Sequence, residues 1–99
     1  MSDVIDNEAE HRFQMTMDGH TGELTYELEG DRLTLIHTGV PEELEGHGLA
    51  GRLVQAAVDR AQRDELTIIP ICPYARRWLK KRENDLTDVK IDWAQERLS

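Results

Sequence analysis

The segment at positions 45–51, EGHGLAG, carries the strongest chemical signal in this chain of 99 residues. It lies between a stretch with alternating apolar residues, typical of a strand, and one with apolar residues at helical spacing. The first amides of a helix have no partner within it, and glycine lets a ligand approach the backbone closely. The segment therefore predicts a phosphate-binding site, the alternative being a turn that only begins a helix.

The single cysteine, Cys72, is the second candidate. It follows an apolar run at positions 66–71 and precedes Pro73. Because proline suits the first position of a helix, Cys72 is expected beside a helix N-cap and at the end of a buried strand. A helix N-terminus lowers the pKa of a cysteine thiol, which makes Cys72 a candidate site residue. The alternative is a small buried hydrophobe.

The composition restricts the partners of the protein. Twelve Lys and Arg against twenty Asp and Glu give a net charge of −8, which opposes binding to a nucleic-acid backbone. One cysteine and the lack of paired Cys and His spacings argue against an internal disulfide and against a bound metal. No apolar stretch approaches the ~20 residues of a membrane span. We expect a cytoplasmic protein with neither nucleic acid nor membrane as its partner.

The strands that must position these residues follow from the alternation of apolar side chains. Alternation predicts three strands, at positions 11–17, 24–28 and 33–38, joined by short turns. Short turns join neighbouring strands in antiparallel order, so the three should form a meander. In the third strand, strict alternation places His37 on the same side of the sheet as Leu35.

Helical spacing and a buried apolar run complete the predicted fold. A helix is predicted over positions 49–61, a buried strand over 66–71 and a second helix over about 74–81. Because a helical crossover brings the chain back in the same direction, the last strand should pair in parallel with the third. The expected fold is α+β, with a mixed sheet of about four strands. Positions 1–10 are expected to be a flexible lead-in and positions 11–99 a single domain.

The glycines at positions 46, 48 and 51 also satisfy the dinucleotide-binding fingerprint G-x-G-x-x-G. The context of that fingerprint is absent. Positions 40–44 separate the strand from the first glycine, and Ile71-Cys72-Pro73 stands where an acidic ribose-binding residue should follow the next strand. A chain of this length also cannot form two mononucleotide-binding halves. The Rossmann interpretation is therefore rejected.

Four short motifs occur in an order that resembles the compact, single-domain GNAT acetyltransferases. They are Tyr26-Glu27-Leu28, His37-Thr38-Gly39-Val40-Pro41, the glycine-rich segment and Ile71-Cys72-Pro73-Tyr74. Gly48 and Ala50 match the family signature (Arg/Gln)-x-x-Gly-x-(Gly/Ala), whereas Glu45 stands at its first position. The resemblance covers roughly residues 12–95.

This resemblance implies an N-acetyltransferase that takes acetyl-CoA as its donor and uses no metal. It places the pantetheine along the strand before the loop and the pyrophosphate on the loop amides. The residues implied to bind CoA are Thr38, Val40, Glu45, Gly46, His47, Gly48, Leu49, Ala50 and Arg76. A carboxylate at Glu45 weakens CoA binding if it faces the phosphates, and costs little if it points outward.

The chain as a whole is acidic, but the second predicted helix and the residue after it carry a concentrated basic run. Its members are Arg76, Arg77, Lys80, Lys81 and Arg82. The run is expected to meet the outer phosphate of CoA, to meet an acidic partner, or to face solvent. Trp78 and Trp93 are expected in the core, the alternative being an indole that stacks on adenine.

Three residues are catalytic candidates: Cys72, which the resemblance implies, and His37 and Tyr74, which follow from their positions near the expected thioester. Two chemistries stay open for Cys72: its thiolate carries the acetyl group, or it only lines the site while the acceptor amine attacks directly. His37 is a candidate general base, and the Tyr74 phenol a candidate acid for the departing CoA thiolate. Ordinary packing roles are the alternatives for both.

The acceptor implied by the resemblance is an amine of unknown identity. It belongs either to a small molecule or to a protein, as a lysine side chain or an N-terminus. The alternative function, from a different class, is a non-catalytic acyl-CoA-binding or protein-interaction module that retains the same fold.

Overall fold

The computed structural model describes residues 4–93 of the chain. Within this range lie six strands and two α-helices, which in chain order are β1 (Ile5–Asn7), β2 (Arg12–Met17), β3 (His20–Glu29), β4 (Arg32–Gly39), α1 (Leu49–Asp64), β5 (Thr67–Pro70), α2 (Pro73–Lys81) and β6 (Lys90–Ile91). Short 3-10 turns at Glu42–Leu44 and Glu83–Asp85 lie in the connections before α1 and after α2.

The strands form one mixed sheet in the order β1-β2-β3-β4-β5-β6. Strands β1 to β4 pair in antiparallel fashion, whereas β5 pairs in parallel with β4 and with β6. The predicted meander and the parallel strand after a helical crossover are confirmed. The crossover is α1, which carries the chain from the end of β4 back to the start of β5.

The sheet has six strands rather than the predicted four, because both ends of the chain add a short edge strand. Ile5–Asn7 pairs with β2 inside the segment expected to be a flexible lead-in. Lys90–Ile91 pairs with β5 and follows α2, in a stretch for which the sequence predicts no element. Strands of three and two residues are too short to show alternation, so no local pattern indicates them.

A buried polar network joins β1 to the rest of the fold. Asp6 accepts a hydrogen bond from the Tyr26 hydroxyl at 2.6 Å and one from Arg60 Nη1, also at 2.6 Å. Burial, and after it the hydrogen bond to Asp6, raises the pKa of Tyr26 from 10.0 to about 12. The carboxylate of Asp6 thus ties the edge strand to β3 and α1.

One face of the sheet is covered by helices. The apolar stripe predicted for α1 is buried, and its members are Leu49, Leu53, Val54, Ala57, Val58 and Ala61. These side chains form one cluster with the inward residues of the sheet and with Ala75 and Leu79 of α2. Within residues 4–93, both α-helices therefore pack on the same face of the sheet.

A bulge in β4 changes which side chains face the helices. Leu35 pairs with Tyr26 and His37 pairs with Thr25, so Ile36 is one residue in excess. An extra residue reverses the alternation beyond it. His37 is consequently exposed on the face opposite the helices, and Thr38 lies on the helix side, across from buried Leu24. The side predicted for His37 is wrong.

Strands β4 and β5 part at this bulge. Their pairing ends at Leu35 and Pro70, and the Leu35 carbonyl accepts hydrogen bonds from the amides of Ile71 (3.0 Å) and Cys72 (2.9 Å). Strand β4 continues to Gly39, whereas the other chain turns into α2. Pro70 has no amide hydrogen to donate to a neighbouring strand. It belongs to the last pair of the β4–β5 ladder, so no later pair depends on that hydrogen bond.

Candidate active site

The glycine-rich segment places the N-terminus of α1 beside the point where β4 and β5 part. Gly46 and Gly48 have φ angles of 87° and 75°, which favour glycine. Gly48 is the N-cap residue of α1, and no side chain caps this end of the helix. Because α1 has no side-chain cap there, its first amides remain available to an anion.

A cleft with a volume of about 420 Å³ opens at this helix end. It is lined by Thr38, Val40, Leu44, Glu45, Gly46, Gly48, Leu49, Ala50 and Tyr74. The fold thus brings together the end of β4, the glycine-rich segment and the first turn of α2. Most residues that the sequence singled out for CoA binding meet here, together with the catalytic candidate Tyr74. His47 belongs to the same segment and is exposed.

Cys72 lies directly behind one wall of this cleft. It is the N-cap residue of α2, as predicted, and only 2% of its surface is exposed. Its Sγ lies 3.2 Å from Oγ1 of Thr38, and either atom can donate the hydrogen bond. The contact bridges β4 and α2 just beyond the last strand pair, so Thr38 is the residue through which Cys72 meets the cleft.

His37 lies apart from Cys72 and Tyr74. Its imidazole is on the open face of the sheet, where a Cβ built on Gly39 would stand 3.6 Å from His37 Nε2. The structure therefore separates the three catalytic candidates into two groups. Cys72 and Tyr74 are on the helix side of the divergence between β4 and β5, and His37 is on the other side.

A second cavity of about 640 Å³ adjoins the first, since Gly48 and Tyr74 line both. Its other lining residues are Gly51, Arg52, Gln55, Arg77, Trp78, Lys81 and Arg82. A Cβ on Gly51 would stand 2.9 Å from Nε1 of Trp78, so any larger residue there would displace the Trp78 ring from the space between α1 and α2. Four cationic side chains converge here in a chain whose net charge is −8.

Helical periodicity divides the basic run between two surfaces. Arg76 donates a hydrogen bond to the Trp93 carbonyl at 3.1 Å, and Lys80 Nζ lies 5.0 Å from the centre of the Trp93 ring. Arg77 and Lys81 instead line the larger cavity. The structure thus brings Arg77 and Lys81, rather than the predicted Arg76, to the neighbourhood of the glycine-rich segment.

Sequence reasoning missed Arg52 in α1 and did not distinguish the members of the basic run. The spacing of four residues between Arg77 and Lys81, and between Arg76 and Lys80, is a signal that would have separated them. Arg82 covers Trp78, with its guanidinium carbon 4.0 Å from the ring centre. Trp78 and Trp93 are both partly buried against the core.

Residues 4–93 include the side chains and helices that bear on metal binding and on membrane crossing. No group of three or more His, Cys, Asp or Glu side chains in that range is arranged to hold a metal ion. None of the helices in the same range is long and apolar enough to cross a membrane.

The fold is that of the acyl-CoA N-acyltransferase class. Its defining features are a mixed sheet in which two parallel strands part and, beside that point, a glycine-rich helix N-terminus without a side-chain cap. The family model described as GCN5-related N-acetyl-transferase matches residues 12–89, and the chain belongs to this family of enzymes. The chain is also similar to a solved structure from Staphylococcus aureus, described as a GCN5-like candidate N-acetyltransferase. The two share 29% identity and a TM-score of 0.67, over 95% of this chain and 96% of the other. The predicted enzyme class and fold class are confirmed.

Proposed function

We propose that the protein transfers the acetyl group of acetyl-CoA to an amine. The observation that carries this proposal is the continuity of the two cavities through Gly48 and Tyr74. Together they offer an elongated groove with the Thr38–Cys72 contact near one end, bare helix amides in the middle and cationic side chains at the other. Acetyl-CoA has a matching order of groups: a thioester, a pyrophosphate and a phosphorylated nucleoside.

Each part of the donor has a counterpart in the groove. The amides of residues 46–50 receive the pyrophosphate, where the helix dipole also favours negative charge. The backbone near Thr38 and Val40 lies along the pantetheine. Arg77 and Lys81, with Arg52 and Arg82 beside them, receive the 3′-phosphate of the nucleotide in place of Arg76.

Direct attack by the amine is the chemistry that these surroundings favour. The amine nitrogen forms a bond to the carbonyl carbon, the carbon–sulfur bond breaks, and CoA leaves as a thiolate. The amine gives up its proton to His37, which reaches it from the open face, and the thiolate takes a proton from Tyr74. A nucleophilic cysteine must reach the thioester and is activated by an adjacent base or by a helix N-terminus, whereas Cys72 is 2% exposed and its hydrogen-bond partner is the Thr38 hydroxyl, which is not a base.

A calorimetric titration with acetyl-CoA, followed by measurement of CoA release with added amines, tests the proposed function. Binding with amine-dependent release of CoA supports the transferase. Binding without turnover supports the non-catalytic acyl-CoA-binding module instead, and absence of binding refutes both. We assign this activity to the cytoplasm, where acetyl-CoA is supplied and a free thiol stays reduced.

Glu45→Gln is expected to tighten CoA binding. Glu45 lines the smaller cleft, so its carboxylate repels the pyrophosphate. We expect a decrease in Kd of about threefold at low ionic strength, with a smaller change at high salt, since exposed charges interact weakly and are screened. Calorimetry at two salt concentrations measures this.

The control is Glu42→Gln, in the preceding 3-10 turn, which removes the same charge outside the cleft lining. Equal effects of the two variants would mean that the Glu45 carboxylate points away from the ligand.

Cys72→Ala is expected to retain activity within about fivefold of the parent protein, because direct attack requires no thiol. Removal of one buried sulfur costs about 1 kcal/mol of stability, which a melting curve monitors separately. Mass spectrometry of the parent protein, mixed with acetyl-CoA before any acceptor is added, should show no acetyl group on Cys72. A thousandfold loss of kcat with unchanged CoA binding, or an acetylated Cys72 that acceptor discharges, would establish the covalent route.

A further inference from the structure

Two large aliphatic side chains are exposed where β4 and β5 part. Ile36 is 38% exposed and Ile71 is 50% exposed, although most large apolar residues of the described chain are buried. The Ile71 amide bonds to the carbonyl of Leu35, the residue just before Ile36, at 3.0 Å. The two side chains therefore flank the divergence of the strands. Ile36 follows buried Leu35 and is on the face of the sheet that α1 and α2 do not cover.

The same open face carries charges of both signs, because Arg32, which pairs with Asp92, lies there together with the carboxylates of β3. In β3, Leu24 and Tyr26 are buried beneath the helices, so Glu23 and Glu27 project from the opposite face. Glu23 pairs with Arg12 at 2.9 Å, whereas Glu27 is exposed, one strand from the divergence. A cationic acceptor is attracted to this face by Glu27 and by the overall charge of −8.

The acceptor must approach from this open face. The donor proposed above fills the cleft on the helix side, and its acyl end lies near Thr38 and Cys72. Beyond Leu35 no ladder of backbone hydrogen bonds joins β4 to β5, so the reacting carbon is reached between them from the open face. His37 is exposed on that face, next to Ile36.

We propose that the acceptor is the side chain of a lysine in a polypeptide, with aliphatic residues beside the lysine. This inference rests on the transferase function proposed above. The aliphatic neighbours contact Ile36 and Ile71, and the lysine inserts between the strands with its apolar stem against them. A small polar amine has no apolar surface to place on these two side chains, and small ligands are usually bound in concave sites. The exposed carboxylate of Glu27 attracts the positive charge that lysine carries in solution; the ammonium then gives one proton to water, and the neutral amine gives its second proton to His37 as it attacks.

Competing acceptor probes test this proposal. The probes are a blocked pentapeptide with lysine flanked by two valines, its counterpart with two serines, free lysine and spermidine. We expect kcat/KM for the valine-flanked peptide to exceed that of each other probe at least tenfold, through a lower KM. Mass spectrometry should locate the acetyl group on the lysine side chain.

The double variant Ile36→Ser and Ile71→Ser should remove this preference. Both side chains are exposed and neither lines the two cavities, so the Kd for acetyl-CoA should stay the same, while kcat/KM for the valine-flanked peptide falls to that of the serine-flanked peptide. Ile5→Ser, at a site 60% exposed on the far edge strand, is the matched control and should keep the preference. Equal rates for the two peptides, or a preference that survives in the double variant, overturns the proposal.

Failure of this acceptor assignment is distinguishable from failure of the transferase function. A protein that binds acetyl-CoA and acetylates spermidine or free lysine better than both peptides refutes the polypeptide acceptor and leaves the transferase standing. A protein that binds acetyl-CoA and modifies none of the probes refutes the acceptor proposal as well. Absence of acetyl-CoA binding refutes the proposed function and, with it, the proposal that rests on it.

Discussion

Gly48→Val is expected to weaken CoA binding by about 100-fold or more while the protein stays folded. Gly48 lines both cavities, and no other atom lies within 4 Å of a Cβ built there. A branched side chain would therefore occupy open space in the groove, where the pyrophosphate approaches the helix amides. Loss of about two charge-assisted hydrogen bonds accounts for an effect of this size.

The backbone strain of this substitution needs its own control. Gly48 has a φ of 75°, so valine costs stability there whatever the ligand does. Gly30→Val provides the match: Gly30 has a φ of 62°, is equally open around its Cβ and lies in the turn between β3 and β4. Both variants should melt earlier, and only Gly48→Val should lose CoA in a calorimetric titration. A folded Gly48→Val protein with unchanged Kd would remove the glycine-rich segment from the binding site.

The helices and strands that position this groove could be predicted because each is long enough to show the spacing of apolar residues that is typical of its type. Helix α1 spans sixteen residues, and its buried stripe follows the three- and four-residue spacing of the sequence. The meander and the parallel strand follow from turn lengths and from the crossover. The edge strands β1 and β6 are held by tertiary contacts, such as Asp6 with Tyr26 and Arg60, which no local pattern reveals.

The sequence indicated which residues belong to the candidate site better than it indicated the direction in which their side chains point. The glycine-rich segment and Cys72 lie at helix ends as expected, since glycine and proline act locally on the backbone. His37 lies on the opposite face because the extra residue at Ile36 reverses the alternation, and a bulge depends on strand pairing rather than on local sequence. The four-residue spacing within the basic run separates Arg77 and Lys81 from Arg76 and Lys80, but which pair faces the groove depends on how α2 packs on the sheet.

The double variant Arg77→Glu and Lys81→Glu is expected to weaken CoA binding by about 100-fold. These side chains line the larger cavity, and they are one turn apart on the same side of α2. Replacing them with carboxylates removes charge-assisted contacts to the 3′-phosphate and adds repulsion. The loss should be much smaller for 3′-dephospho-CoA, which lacks that phosphate. A comparison of the Kd values for the two ligands therefore shows where the 3′-phosphate binds, in addition to the overall affinity for CoA.

Net charge alone would weaken the binding of any anion, so this variant needs a control with the same change in charge. Lys80→Glu and Lys90→Glu together provide it, since both side chains are exposed and neither lines the two cavities. This control should lower the affinity for both ligands slightly and equally, because distant exposed charges are screened. The parent protein should prefer CoA over 3′-dephospho-CoA by about tenfold, the contribution of one charge-assisted pair. If the Arg77 and Lys81 variant keeps that preference, the 3′-phosphate lies outside the larger cavity, and the continuous groove is not the path of the nucleotide.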